Sequence, residues 1–117
     1  MKERDTKIVK LIPSNMSIHI ASWGEDNGIM IFSKELENKE VEVTISYPLK
    51  TKYVFTYKDK DGIGCVTDLI SNIVSKYRFV YSKSEEFGIW GHCIGDLVIE
   101  GLNLDLTTNK IILYIGS

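Results

Sequence analysis

Between positions 66 and 78 the apolar residues Val66, Leu69, Ile70, Ile73, Val74 and Tyr77 fall on one side, and Ser71, Asn72, Ser75, Lys76 and Arg78 on the other. This is the period of about 3.6 residues of an amphipathic helix, which the spacing predicts over about 67–78. Asp61-Gly62-Ile63-Gly64 supplies turn chemistry before it. Thr67 offers a capping hydroxyl and Asp68 a carboxylate near the positive end of the helix dipole. Past Arg78, Phe79-Val80-Tyr81 is aromatic and β-branched and reads as an extended segment leaving the helix.

Elsewhere the period is two. Val41, Val43, Ile45 and Tyr47 alternate with Glu42, Thr44 and Ser46, predicting a half-buried strand that stops at Pro48. Residues 52–57 form a second, with Tyr53, Phe55 and Tyr57 on one face, and the two are expected to pair as a hairpin against the helix. Residues 7–12, stopped by Pro13, read as an edge strand. Residues 17–22 and 29–32 are β-branched runs whose separating segment, 23–28, reads as a hairpin loop. In the first run Ile18 and Ile20 share a side, opposite His19. The charge-dense stretch 33–40 is expected to be a solvated loop or one helical turn. Residues 96–106 and 110–115 flank Thr107-Thr108-Asn109, a turn in which Asn109 can take a left-handed conformation, so the chain should close with a long-armed hairpin.

Strands first, then one helix, then a hairpin predict an α+β fold: a mainly antiparallel sheet of about six to seven strands with one principal helix on one face. A length of 117 residues suits one domain spanning 1–117, able to bury about 65% of its unfolded surface. The order of hairpin 41–57, helix 67–78 and later strand resembles the ββαβ order of ubiquitin-like β-grasp folds, a resemblance of element order over about half the chain.

Composition narrows the function classes. Apolar residues at 44% and charged residues at 26% are ordinary globular values. A formal charge of -2 gives no general attraction to nucleic acid or anionic lipid. The lysines at 50, 52, 58 and 60 are interrupted by Asp59 and Asp61. No apolar run has the length of a signal or membrane segment, so a cytoplasmic location with reduced Cys65 and Cys93 is expected. Residues 87–117 hold five of the nine glycines but only four charges, Asp96, Glu100, Asp105 and Lys110. A stretch so poor in charge must be covered, either as central strands or by another subunit.

The candidate chemistry sits in Phe87-Gly88-Ile89-Trp90-Gly91-His92-Cys93-Ile94-Gly95. Gly88 and Gly91 let the backbone turn beside Trp90 and His92. That suggests either a tight connection in which Trp90 plugs the core and His92 caps a backbone carbonyl, or a binding loop with Trp90 as anchor and His92 as hydrogen-bonding group. The alternative is a cysteine-dependent enzyme: Cys65 lies just before the helix, where the dipole can activate a thiol, with His92 as base and Asp96 to orient it. Adjacency of His92 and Cys93 does not make them a dyad. No metal-ligand spacing is present, and Asp59-Lys60-Asp61-Gly62 fails as a calcium loop, because Tyr57 occupies the first ligand position. Neither a cofactor nor a metal is expected. The function expected is a small non-catalytic interaction module that binds a protein partner or a second copy of itself, as a homodimer, with no membrane or nucleic acid involved.

Overall fold

The computed structural model describes residues 7–24 and 30–117. The strands are β1 (Ile8–Lys10), β2 (Ile18–His19), β3 (Glu40–Ile45), β4 (Tyr53–Lys58), β5 (Val98–Asp105) and β6 (Lys110–Gly116), with helices α1 (Val66–Ser82) and α2 (Ser84–Phe87) between β4 and β5. Single 3-10 turns occur at Lys34–Leu36 and Ile94–Asp96. From residue 40 onward the expected ββαβ order is present, and a further strand extends it to ββαββ.

Helix α1 has the apolar stripe read from the sequence, but it runs on through the aromatic segment. Val80 lies one turn beyond Tyr77 on the same face and is fully buried. Its burial holds Phe79-Val80-Tyr81 in the helix, against the β preference of those side chains. The capping assignment also changes. Cys65 is the N-cap and makes no side-chain bond. Thr67 turns its Oγ1 outward to accept the Ile31 N–H at 2.9 Å.

That bond belongs to a seam that corrects the expected pairing of 17–22 with 29–32. Val66 N–H donates to Ile31 O at 2.7 Å, Ser33 N–H donates to Gly64 O at 2.8 Å, and Phe32 bridges Cys65. The 31–33 stretch therefore runs beside the helix start. β2 pairs instead with β5, Ile18 opposite Ile99 and His19 opposite Val98. Ile18 and Ile20 are buried and His19 is exposed, as the alternation requires. Most of the loop expected at 23–28 lies outside the described residues. Within the polar stretch 33–40, the 3-10 turn carries Leu36 into the core, where it is fully buried.

Among the described residues the sheet has the order β1-β5-β6-β3-β4, with β2 also on β5. Every pairing is antiparallel except β3 with β6, so the sheet is mixed. The closing hairpin is internal, since β5 and β6 lie between β1 and β3. The charge-poor C-terminal stretch thus supplies interior strands, and Asn109 takes the left-handed conformation at φ 57°. Val41, Val43 and Ile45 of β3, Phe55 and Tyr57 of β4, Leu102 and Leu104 of β5, Ile111 of β6 and the buried stripe of α1 form one apolar cluster.

One irregularity matters to the pattern. The register of β5 against β6 shifts between Ile99 and Gly101. The buried positions change phase there, from Ile99 to Leu102 and Leu104, as an extra residue in one strand requires. A β-carbon on Gly101 would lie 2.8 Å from Cδ2 of Tyr114. The missing side chain is what lets the tyrosine ring lie across the strand.

Candidate functional site

Two short segments are fastened side by side. The turn after β3 receives the loop after α2 through main-chain bonds. Trp90 N–H donates to Pro48 O at 3.1 Å, Lys50 N–H to Phe87 O at 3.0 Å, and Thr51 N–H to Phe87 O at 3.1 Å. Gly88 closes α2 in the left-handed conformation at φ 65°, as helix C-termini commonly do. The helix anchors both segments from below: Tyr77 Oη donates to Tyr47 O at 2.8 Å, and Tyr81 Oη donates to His92 O at 3.0 Å. Burial first, then the neighbouring Cys93, Asp96 and Tyr47, pushes the Tyr81 phenol up to about 12. It therefore remains a proton donor throughout the neutral range.

On this fixed backbone three rings meet. Tyr47 and Trp90 pack edge to face, with centroids 5.7 Å apart at 85°. His92 lies 5.5 Å from the Tyr47 ring and 5.9 Å from Trp90. Trp90 remains 46% exposed. A polar series runs alongside. Tyr47 Oη shares a 2.8 Å hydrogen bond with His92 Nε2 and a 3.0 Å bond with Ser117 Oγ. On the other side of the imidazole, Nδ1 stands 4.0 Å from Asp96 Oδ2. That separation allows electrostatic attraction but is too long for a hydrogen bond. The same Asp96 oxygen accepts the Cys93 N–H at 3.2 Å.

The fold brings together Gly88, Trp90, Gly91, His92 and Asp96, and adds Tyr47, Tyr81 and Ser117, which sequence reasoning did not include. In the sequence Tyr47 is only the last inward residue before a proline, and Tyr81 falls in a run that reads as extended. The fold does not bring Cys65 to His92. Cys65 is buried at the start of α1, while His92 is tied to Tyr81 near its end. Sixteen residues of helix separate these anchor points, or about 24 Å along the axis. The predicted thiol–imidazole dyad is therefore not assembled. Cys93 is exposed, and His92 Nε2 is occupied by the Tyr47 phenol.

Among the described residues no group of three His, Cys, Asp or Glu side chains is placed to hold a metal ion. The rejected calcium loop has a structural use instead, because the buried Asp59 carboxylate accepts the N–H groups of Asn38 and Gly64. No described helix is long and apolar enough to cross a membrane. Comparison with protein-family models, curated protein sequences and solved structures finds no match to the chain.

Proposed function

We propose that the protein is a small non-catalytic interaction module that self-associates through the loop carrying Trp90 and His92. One observation carries this reading: an indole nearly half exposed stands on a backbone already fixed by Pro48, Phe87 and Tyr81. An aromatic side chain held in place loses little conformational freedom on binding, and buried tryptophans are the commonest anchors of protein interfaces. The engagement of His92 by Tyr47 and the remoteness of Cys65 favour recognition over catalysis.

In this reading α1 covers one face of the sheet, supported by the single apolar cluster shared by helix and strands. The loop then sits at the rim. A cytoplasmic setting accompanies the proposal, in keeping with a chain whose two cysteines are too few and too far apart for a disulfide framework.

Sedimentation of the full chain across micromolar to millimolar concentration tests the reading. Reversible dimerisation is expected, with Trp90→Ala weakening it about tenfold or more, equivalent to about 1.4 kcal/mol. A wild-type chain that stays monomeric throughout, or a variant that dimerises equally well, refutes it.

A further inference from the structure

The bulge in β5 opens a small cavity on the side of the sheet away from Leu102 and Leu104. Gly101 and Asn103 alternate along the strand with those two buried leucines, and Lys10 of β1 stands opposite Asn103. Tyr114 of β6 stands opposite Gly101, whose missing β-carbon makes room for the ring. Glu100 is the extra residue of the bulge, and its carboxylate lies against Gly116, where a β-carbon would strike it. Beyond β1 the chain is held by the Leu11 N–H on Leu102 O and then turns at Pro13, so that Ile12 and Ser14 close the remaining side. The space between these residues is about 140 Å³.

Two opposite charges share the cavity without meeting. Lys10 and Glu100 both line it, yet no ion pair joins them, and neither side chain makes a hydrogen bond among the described residues. The Ser14 hydroxyl and the Asn103 amide are likewise unengaged among those residues. Asp105, the next acid on that side of β5, does not line the cavity and already accepts the Thr107 N–H at 2.9 Å. The walls therefore offer one cation, one carboxylate and two neutral hydrogen-bonding groups, with Ile12 and the Tyr114 ring as apolar surface.

Size and charge together select the occupant. A cavity of about 150 Å³ admits benzene, so this one takes about six non-hydrogen atoms. A simple anion would satisfy Lys10 but bring like charge to Glu100, and a simple cation would do the reverse. A zwitterion answers both. Glycine and alanine have the required size and carry their two charges on either side of one carbon.

We propose that this cavity binds a free α-amino acid of glycine or alanine size, with its carboxylate toward Lys10, its ammonium toward Glu100 and its α-carbon against the Tyr114 ring. Both charged side chains are exposed, so water screens each contact and the affinity falls in the millimolar range.

The isotope-labelled full chain is titrated separately with glycine, alanine, acetate, methylammonium and phenylalanine, at neutral pH and constant ionic strength, and followed by amide NMR. Glycine or alanine is expected to shift the amides of Gly101, Asn103 and Tyr114 and to saturate in the millimolar range. Acetate and methylammonium, each matching one charge only, should bind about threefold more weakly or worse, and phenylalanine, too large for the space, about tenfold more weakly or worse. Glu100→Gln and Lys10→Met replace exposed side chains that bond nothing in the fold. Each should weaken amino-acid binding about threefold or more and leave the melting temperature unchanged. Trp90→Ala should leave binding unchanged, which separates this site from the dimerisation surface. The proposal is overturned if the three amides stay unshifted at tens of millimolar glycine and alanine, or if acetate, methylammonium or phenylalanine binds as tightly as they do. Wild-type affinity in both charge variants overturns it equally.

Discussion

Removing the Asp59 carboxylate should destabilise the fold more than removing any of the exposed charged side chains. The residue is 3% exposed, and its Oδ2 accepts two main-chain N–H groups, from Asn38 and Gly64, each at 2.9 Å. In Asp59→Ala both donors lose their acceptor. Gly64 is buried, so its amide meets the full cost of about 1–3 kcal/mol for an unsatisfied buried group. Asn38 is exposed, and water can replace part of its bond, leaving about 0.5–1.5 kcal/mol. The sum is about 1.5–4.5 kcal/mol, equivalent to a fall in melting temperature of about 6–18 °C for a chain of this size. Asp59→Asn keeps a carbonyl oxygen where both bonds end and loses only the charge assistance, so it should cost about half as much. Urea unfolding followed by tryptophan fluorescence, with the slope compared between variants, measures both. If the alanine variant lies within about 1 kcal/mol of wild type, or the two variants are equal, the carboxylate does not hold this turn together.

Gly64→Ala should cost more than about 2 kcal/mol, because the new β-carbon would clash with the main-chain oxygen of Ser33; Gly91→Ala, at a similar φ of 75° but in open space, should cost only about 1–2 kcal/mol of backbone strain. Equal losses on urea unfolding would contradict the packing argument. Tyr47→Phe should lower stability by about 1 kcal/mol and change the NMR shift of His92 Nε2; an unmoved imidazole signal would mean that the phenol does not engage it. Alkaline pH should unfold the protein early. Tyr57 and Tyr81 are each raised to about 12, mainly by burial, and Tyr77 is raised too, again first by burial. The unfolded chain releases these protons near pH 10 while the folded chain keeps them. Stability is then complete below about pH 10 and falls as pH rises towards about 12. A urea midpoint that does not change across that window, with phenolate absorbance read alongside, would refute it.

Local pattern was a good guide where the deciding interaction is local. The strict alternation of 41–45 gave β3 its buried face, and Asn109 took the left-handed turn its side chain permits. It failed where a distant partner decides. Thr67 has a capping residue's chemistry, but the Ile31 amide, 36 positions away in sequence, takes its hydroxyl. Leu36 looks solvated among its charged neighbours, and only the tertiary fold buries it. The shift in β5 was legible in principle, since Leu97 and Ile99 are separated from Leu102 and Leu104 by one residue too many for a regular strand. Tyr47 could not have been found from sequence, because its partners His92 and Ser117 are 45 and 70 residues away.

The two ends of α1 show what sets the candidate site apart from an ordinary turn. Each end meets a glycine-containing loop with left-handed positions, Gly62 and Gly64 at the start, Gly88 and Gly91 at the finish. At the start, the polar atoms of the loop close on one another: Asp59 takes up the free amides, and Gly64 is pressed against Ser33. The apolar side chain it leaves exposed is the aliphatic Ile63. At the finish, main-chain bonds satisfy the backbone in the same way, but the side chains they position are an exposed indole, an imidazole and a phenol in mutual contact. Glycine content is therefore not the mark of a binding loop. The distinguishing feature is an immobilised backbone that clusters an indole, an imidazole and a phenol, and that feature is found where Trp90 stands.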